Sequence, residues 1–196
     1  MVLLTAMVLP VAIAVFSPLL QWRQPVYIAG GFAGIAALSL LLIQPLLADG
    51  ALPGLAAPRA HRWHRRVGTA LVVLVIAHVG GLWLTSPPDV IDALLLRSPT
   101  PFSVWGVLAM WATFAAATLA ALRRRLPLGP LAWRRAHTAL AVIVVAGTVI
   151  HALLIEGAMG TVSKAALCAA VLAATAWVAL ASRTFLAPGR GRSSAR

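Results

Sequence analysis

Six stretches of the chain are almost wholly apolar: residues 2–20, 27–48, 67–85, 103–122, 138–155 and 162–181. Each is close to the roughly 20 residues an α-helix needs to cross a bilayer core. In that solvent every backbone N–H and C=O must be satisfied within the segment, so helix is the expected form. Polar and helix-breaking residues separate the stretches. The segment 48–59 is rich in Gly, Pro and Ala and reads as an irregular loop. Pro45 is expected to kink the end of the second span. Pro87, Pro88, Pro99 and Pro101 frame an apolar stretch at 90–96, expected as a short helix lying on the outer surface. The end of the chain, 188–196, is rich in Gly, Ser and Arg and is expected to be disordered. The pattern predicts an all-α integral membrane protein: a six-transmembrane-helix bundle over residues 1–182, then a basic tail over 183–196.

Composition agrees. Of 196 residues, 61% are hydrophobic and 10% charged, and the mean hydropathy is +0.94. Little is left outside the apolar runs, so no soluble catalytic domain is expected. The net charge is +12. On a soluble protein that would suggest nucleic acid, but the placement of the charges gives another reason. Arg59, Arg62, Arg65 and Arg66 lie between the second and third spans. Arg123, Arg124, Arg125, Arg134 and Arg135 lie between the fourth and fifth. Arg183, Arg190, Arg192 and Arg196 follow the sixth. Only Arg23, Arg97 and Lys164 fall on the other side, with Asp89, Asp92 and Glu156. Thirteen of the sixteen basic residues therefore share one side, which places both termini and both arginine-rich loops in the cytoplasm. The reading is a multi-pass protein of a bacterial inner membrane, with lipid as its surroundings and no nucleic-acid partner. Contact with anionic lipid or an acidic partner is a secondary use of the arginines.

The lone Cys168 has no disulfide partner in the chain and reads as a small packing residue. The N-terminus is apolar from Val2 without a charged flank, and a cleaved signal peptide is not expected. Trp22, Trp63, Trp83, Trp105 and Trp133 sit at span ends, where aromatic anchoring accounts for them. Trp111 and Trp177 lie deeper and are expected to pack, Trp111 with a second reading between two cofactors.

Four histidines break the apolar pattern. His64 and His78 are fourteen residues apart in the third span, and His137 and His151 are fourteen apart in the fifth. Fourteen helical positions return to within about 40° of one face and rise about 21 Å. The third and fifth spans run in the same direction, so His64 is expected to meet His137 on the cytoplasmic side and His78 to meet His151 on the outer side. Histidine in a lipid-spanning helix is costly and is usually functional. Two neutral imidazoles at one depth suit haem, whose porphyrin supplies the iron's other four ligands. Zinc or copper would want three or four ligands gathered together. His61 precedes His78 by seventeen residues, about 100° off that face, and reads as a loop residue outside the helix. Gly68 and Gly147 lie one turn from His64 and His151 and either leave room for a macrocycle or pack helices. Arg65, Arg66, Arg134 and Arg135 could pair with propionates, although topology alone accounts for them.

The run His64-Arg65-Arg66-Val67-Gly68, followed by His78, resembles the third helix of the ferric reductase-like transmembrane domain. Trp133-Arg134-Arg135-Ala136-His137, followed by His151, resembles that family's fifth helix. The family includes ferric reductases, NADPH oxidases and the haem-binding membrane subunit of the periplasmic methionine sulfoxide reductase. The resemblance implies two b-type haems with the four histidines as axial ligands. It also implies that NAD(P)H oxidation, which uses a cytoplasmic flavin and nucleotide domain in many members, falls to another protein, because no glycine-rich nucleotide loop occurs here. A fragment of a longer reductase would read the same way.

The expected function is an electron-transfer component of an oxidoreductase. Electrons come from a separate flavin reductase or from quinol, and a periplasmic acceptor takes them: ferric iron, oxygen or a partner reductase. Any flavin belongs to the partner. The alternatives are a quinol- or ascorbate-type cytochrome b with another helix arrangement, and a histidine-based metal transporter without haem.

Overall fold

The computed structural model describes residues 2–181. The expectations for the basic tail, Arg183 included, fall outside the described residues. Seven α-helices and no strands form within that range: α1 (Val2–Val15), α2 (Pro25–Asp49), α3 (Ala57–Thr85), α4 (Pro87–Leu94), α5 (Pro101–Ala121), α6 (Pro130–Leu154) and α7 (Thr161–Ala181). Proline stands in the first turn of α2 through α6. It is tolerated there because the first N–H groups of a helix have no internal partner. Gly50 ends α2 with φ 70°, a left-handed cap whose N–H reaches the carbonyl of Leu46.

Five helices (α2, α3, α5, α6 and α7) are long and apolar enough to cross a membrane. The first expected span departs from the pattern. Its helix stops at Val15, and a 3-10 turn follows at Pro18–Leu20. The cause is local: Pro18 cannot continue the helix and Ser17 caps the new turn through Leu19 N–H. At 1.5 Å per residue α1 is about 21 Å long, short of a hydrocarbon core of about 30 Å. The proline-framed segment does form a short helix, α4. α3 also begins earlier than its apolar run, so His61 is helical rather than in a loop. α2 runs unbroken through Pro45 to Asp49.

Two antiparallel hairpins, α2–α3 and α5–α6, form the frame. α4 joins them at one end, α7 packs on α2 and α6, and α1 packs on α2 and α7. The hairpins close tightly where side chains are smallest. A Cβ on Gly81 would lie 2.9 Å from Gly30 Cα, and one on Gly147 would lie 2.9 Å from the Trp105 carbonyl. Such close backbone approach drives helix association where lipid removes the hydrophobic incentive. The buried cluster gathers around α2 and α7: Leu38, Leu41, Leu42, Leu71, Val149, Leu167, Cys168 and Val171. Most remaining large apolar side chains face outward, Val73, Ile76, Trp111 and Trp177 among them. Trp111 at 57% and Trp177 at 67% exposure are not packing residues of this bundle. Their apolar surface suits lipid contact instead.

Candidate functional site

α3 and α6 scarcely touch backbone to backbone, yet their histidine rings meet twice. His64 and His137 have ring centres 6.2 Å apart with planes at 74°. His78 and His151 have centres 6.4 Å apart with planes at 77°. All four rings are half-buried. Imidazole nitrogens bind first-row metals at about 2 Å, and the ring centre lies about 1.1–1.2 Å behind the nitrogen. Two imidazoles in line across one metal therefore have centres about 6.3 Å apart. Both pairs stand at that separation.

The backbone fixes which ring nitrogen is left over. His78 Nδ1–H donates to the Gly30 carbonyl at 2.8 Å, and His151 Nδ1–H donates to the Phe102 carbonyl at 2.9 Å. His64 Nδ1–H donates to the Gln44 carbonyl at 3.2 Å. A carbonyl only accepts, so each of these Nδ1 atoms carries the proton and Nε2 keeps its lone pair. Metal-ligating histidines are commonly held this way, which orients the ring and strengthens the ligand.

The His78–His151 pair has a matched construction in the two hairpins. Each ring leans across its hairpin onto the neighbouring helix, α2 for His78 and α5 for His151. A carbonyl accepts the Nδ1 proton, and a glycine four residues later leaves space beneath the ring. A Cβ on Gly34 would stand 2.9 Å from His78 Nδ1, and one on Gly106 would stand 2.7 Å from His151 Nδ1. Lys164, only 8% exposed, reaches across from α7 to donate to the Ile155 carbonyl at 2.6 Å. It caps the end of α6 one turn past His151.

The His64–His137 pair is built differently. His137 Nδ1 is buried with no hydrogen-bond partner among the described residues. Its ring lies flat against Trp133, with centres 5.1 Å apart and planes within 8°. Trp133 is pinned by donating Nε1–H to the Leu119 carbonyl at 3.2 Å, and the Arg123 guanidinium lies over its ring at 4.6 Å. Gln44 is buried as well, and its Oε1 has no partner. His61 donates Nε2–H to the Ala48 carbonyl at 3.2 Å, so that nitrogen is committed elsewhere.

The other sequence candidates have other neighbours. A Cβ on Gly68 would meet Gln44 Nε2 at 3.2 Å, and Gly147 faces Trp105 and Ala109 of α5. Their nearest surroundings are helix-packing contacts. Arg65 and Arg66 are exposed, and the Arg66 guanidinium lies over Trp63 at 5.1 Å. Sequence reading missed Gly34, Gly106, Gln44 and the contact of Trp133. A signal existed for two of them: Gly30 and Gly34 stand one turn apart in a glycine-rich helix, and Trp133 stands one turn before His137.

Among the described residues no group of three or more His, Cys, Asp or Glu comes together. A tetrahedral zinc centre asks for three or four such ligands. Haem asks for two, and the two histidine pairs fit that demand. Compared with known proteins, the chain matches no family model, no curated protein and no solved structure.

Proposed function

We propose that the chain is a b-type cytochrome membrane subunit that carries electrons across the bilayer through two bis-histidine haems. His64 and His137 would hold the inner one, and His78 and His151 the outer one. The observation that carries this reading is the metal-spanning separation of the two ring pairs, 6.2 and 6.4 Å, on helices that otherwise scarcely touch. When bound, each haem supplies a reversible one-electron iron couple, and two depths about 21 Å apart along the helix suit a relay. The chain's own part is to hold three rings by backbone carbonyls, which leaves the Nε2 lone pairs of His64, His78 and His151 to bind iron, with His137 as the fourth ligand. Two imidazoles for each iron would favour electron transfer over chemistry at the metal. Apolar, lipid-facing helices keep water from the sites.

The topology in this reading has six crossings, with α1 and its following turn completing the first. The arginine-rich ends of α3 and α6 lie in the cytoplasm of a bacterial inner membrane. A flavin reductase or quinol donates there, and a periplasmic acceptor receives the electrons. The chain is then the electron-transfer component of an oxidoreductase of the ferric reductase-like kind.

The test is a reduced-minus-oxidised spectrum of the purified protein, with haem quantified per chain. A b-type signal at about two haems per chain is expected. A protein carrying no haem when produced in haem-sufficient cells would overturn the reading.

A further inference from the structure

Of the four histidines, three have an Nδ1–H held by a carbonyl and one does not. That hydrogen bond fixes the direction of Nε2 within the ring plane and strengthens the nitrogen as a ligand. His137 has neither benefit. Stacking on Trp133 at 5.1 Å and 8° restrains the plane of its ring, yet a flat stack leaves the ring free to turn within that plane. With Nε2 on a metal, the proton sits on Nδ1, a buried donor with nothing to receive it. Swinging the ring off the metal relieves that N–H at the cost of its contact with Trp133, which is what holds the closed position.

We propose that the inner site opens at His137, which an incoming small neutral diatomic ligand, of the carbon monoxide or dioxygen class, displaces while His64, His78 and His151 stay in place. The proposal rests on the two-haem reading above. The exchange breaks one bond from iron to Nε2 and forms one bond from iron to the incoming ligand. It moves no electron, and His137 leaves neutral with its Nδ1 proton. A small-molecule site at the cytoplasmic end thus sits beside a closed outer site.

The experiment uses the full chain, haem-loaded and reduced with dithionite, titrated with carbon monoxide and followed by absorbance. The spectrum before titration checks the two-haem reading by itself, and a chain without haem ends both claims. With haem present, about half of it is expected to bind carbon monoxide, one site of two. Trp133→Leu removes the stack and is expected to lower the half-saturating concentration roughly two- to tenfold, the weight of one ring contact. Trp133→Phe gives a smaller shift in the same direction, and serves if the leucine variant loads haem poorly. Trp177→Leu replaces an exposed ring of α7 that touches neither histidine pair, and leaves the curve unmoved. Binding by none or all of the haem overturns the proposal. So does a curve that responds to Trp177→Leu, or one indifferent to both Trp133 variants.

Discussion

The outer and inner histidine pairs have nearly the same spacing, 6.4 and 6.2 Å, and reach it by different means. The outer pair is a product of helix packing. Each ring needs a neighbouring helix close enough to offer a carbonyl, and a glycine to let the ring in. The inner pair depends on side chains instead: a longer carbonyl contact for His64 and a tryptophan face for His137. Equal spacing therefore does not imply equal rigidity. A backbone carbonyl moves only if its helix moves, whereas a stacked ring can slide.

The largest expected effect comes from filling the outer recesses. Gly106→Ala puts a methyl 2.7 Å from the His151 ring, and Gly34→Ala puts one 2.9 Å from His78. Neither distance is tolerable, so ring or helix must shift. Overpacking of this kind costs about 1–3 kcal/mol. Haem per chain should fall from about two to about one, read by haem quantification, with the inner spectrum retained. Full haem content in both variants would show that the recesses do not build the outer site.

Single ligand removal comes next. His78→Ala and His151→Ala should abolish one spectral component, and His64→Ala and His137→Ala the other. A mixed pattern in reduced spectra would break the pairing. The ring planes give a subtler contrast. At 74° and 77° both pairs are near perpendicular, so both ferric sites should show strongly anisotropic low-spin signals in electron paramagnetic resonance. A ring that turns, as inferred for His137, should broaden the inner signal only.

The smallest effect is expected at Gln44. Its buried Oε1 has no partner, and leaving such an oxygen unsatisfied costs about 1–3 kcal/mol. Gln44→Leu removes that oxygen and leaves the backbone carbonyl that receives His64. Thermal unfolding in detergent should be unchanged or slightly raised, with both haem signals present. A marked loss of the inner signal would show that the amide itself supports the site.

Much of the frame was legible from hydropathy alone, because a lipid-crossing helix needs only length and apolar content. Five of six spans appear as long helices, and the first falls short because Pro18 interrupts a run that averages as apolar. The fourteen-residue spacing also reads correctly, since helical phase is a local property. His61 shows the limit. Its phase separated it from the others, but the start of α3 lies in a polar stretch where periodicity has no hold. Trp133 sits at a span end and looked like an interfacial anchor. Only contact across one helical turn shows it lying on His137.

Sequence by itself determined the long apolar helices, the helical period and the four histidines on matching faces, all of which follow from composition and from rotation along one helix. Tertiary structure decided which carbonyls hold which rings, which glycines make room and which histidine is left without an anchor. Those outcomes depend on the distance between α2 and α3 and between α5 and α6. That distance is set by the closest pair of backbones, at Gly30–Gly81 and at Gly147 against α5, and no single segment encodes it.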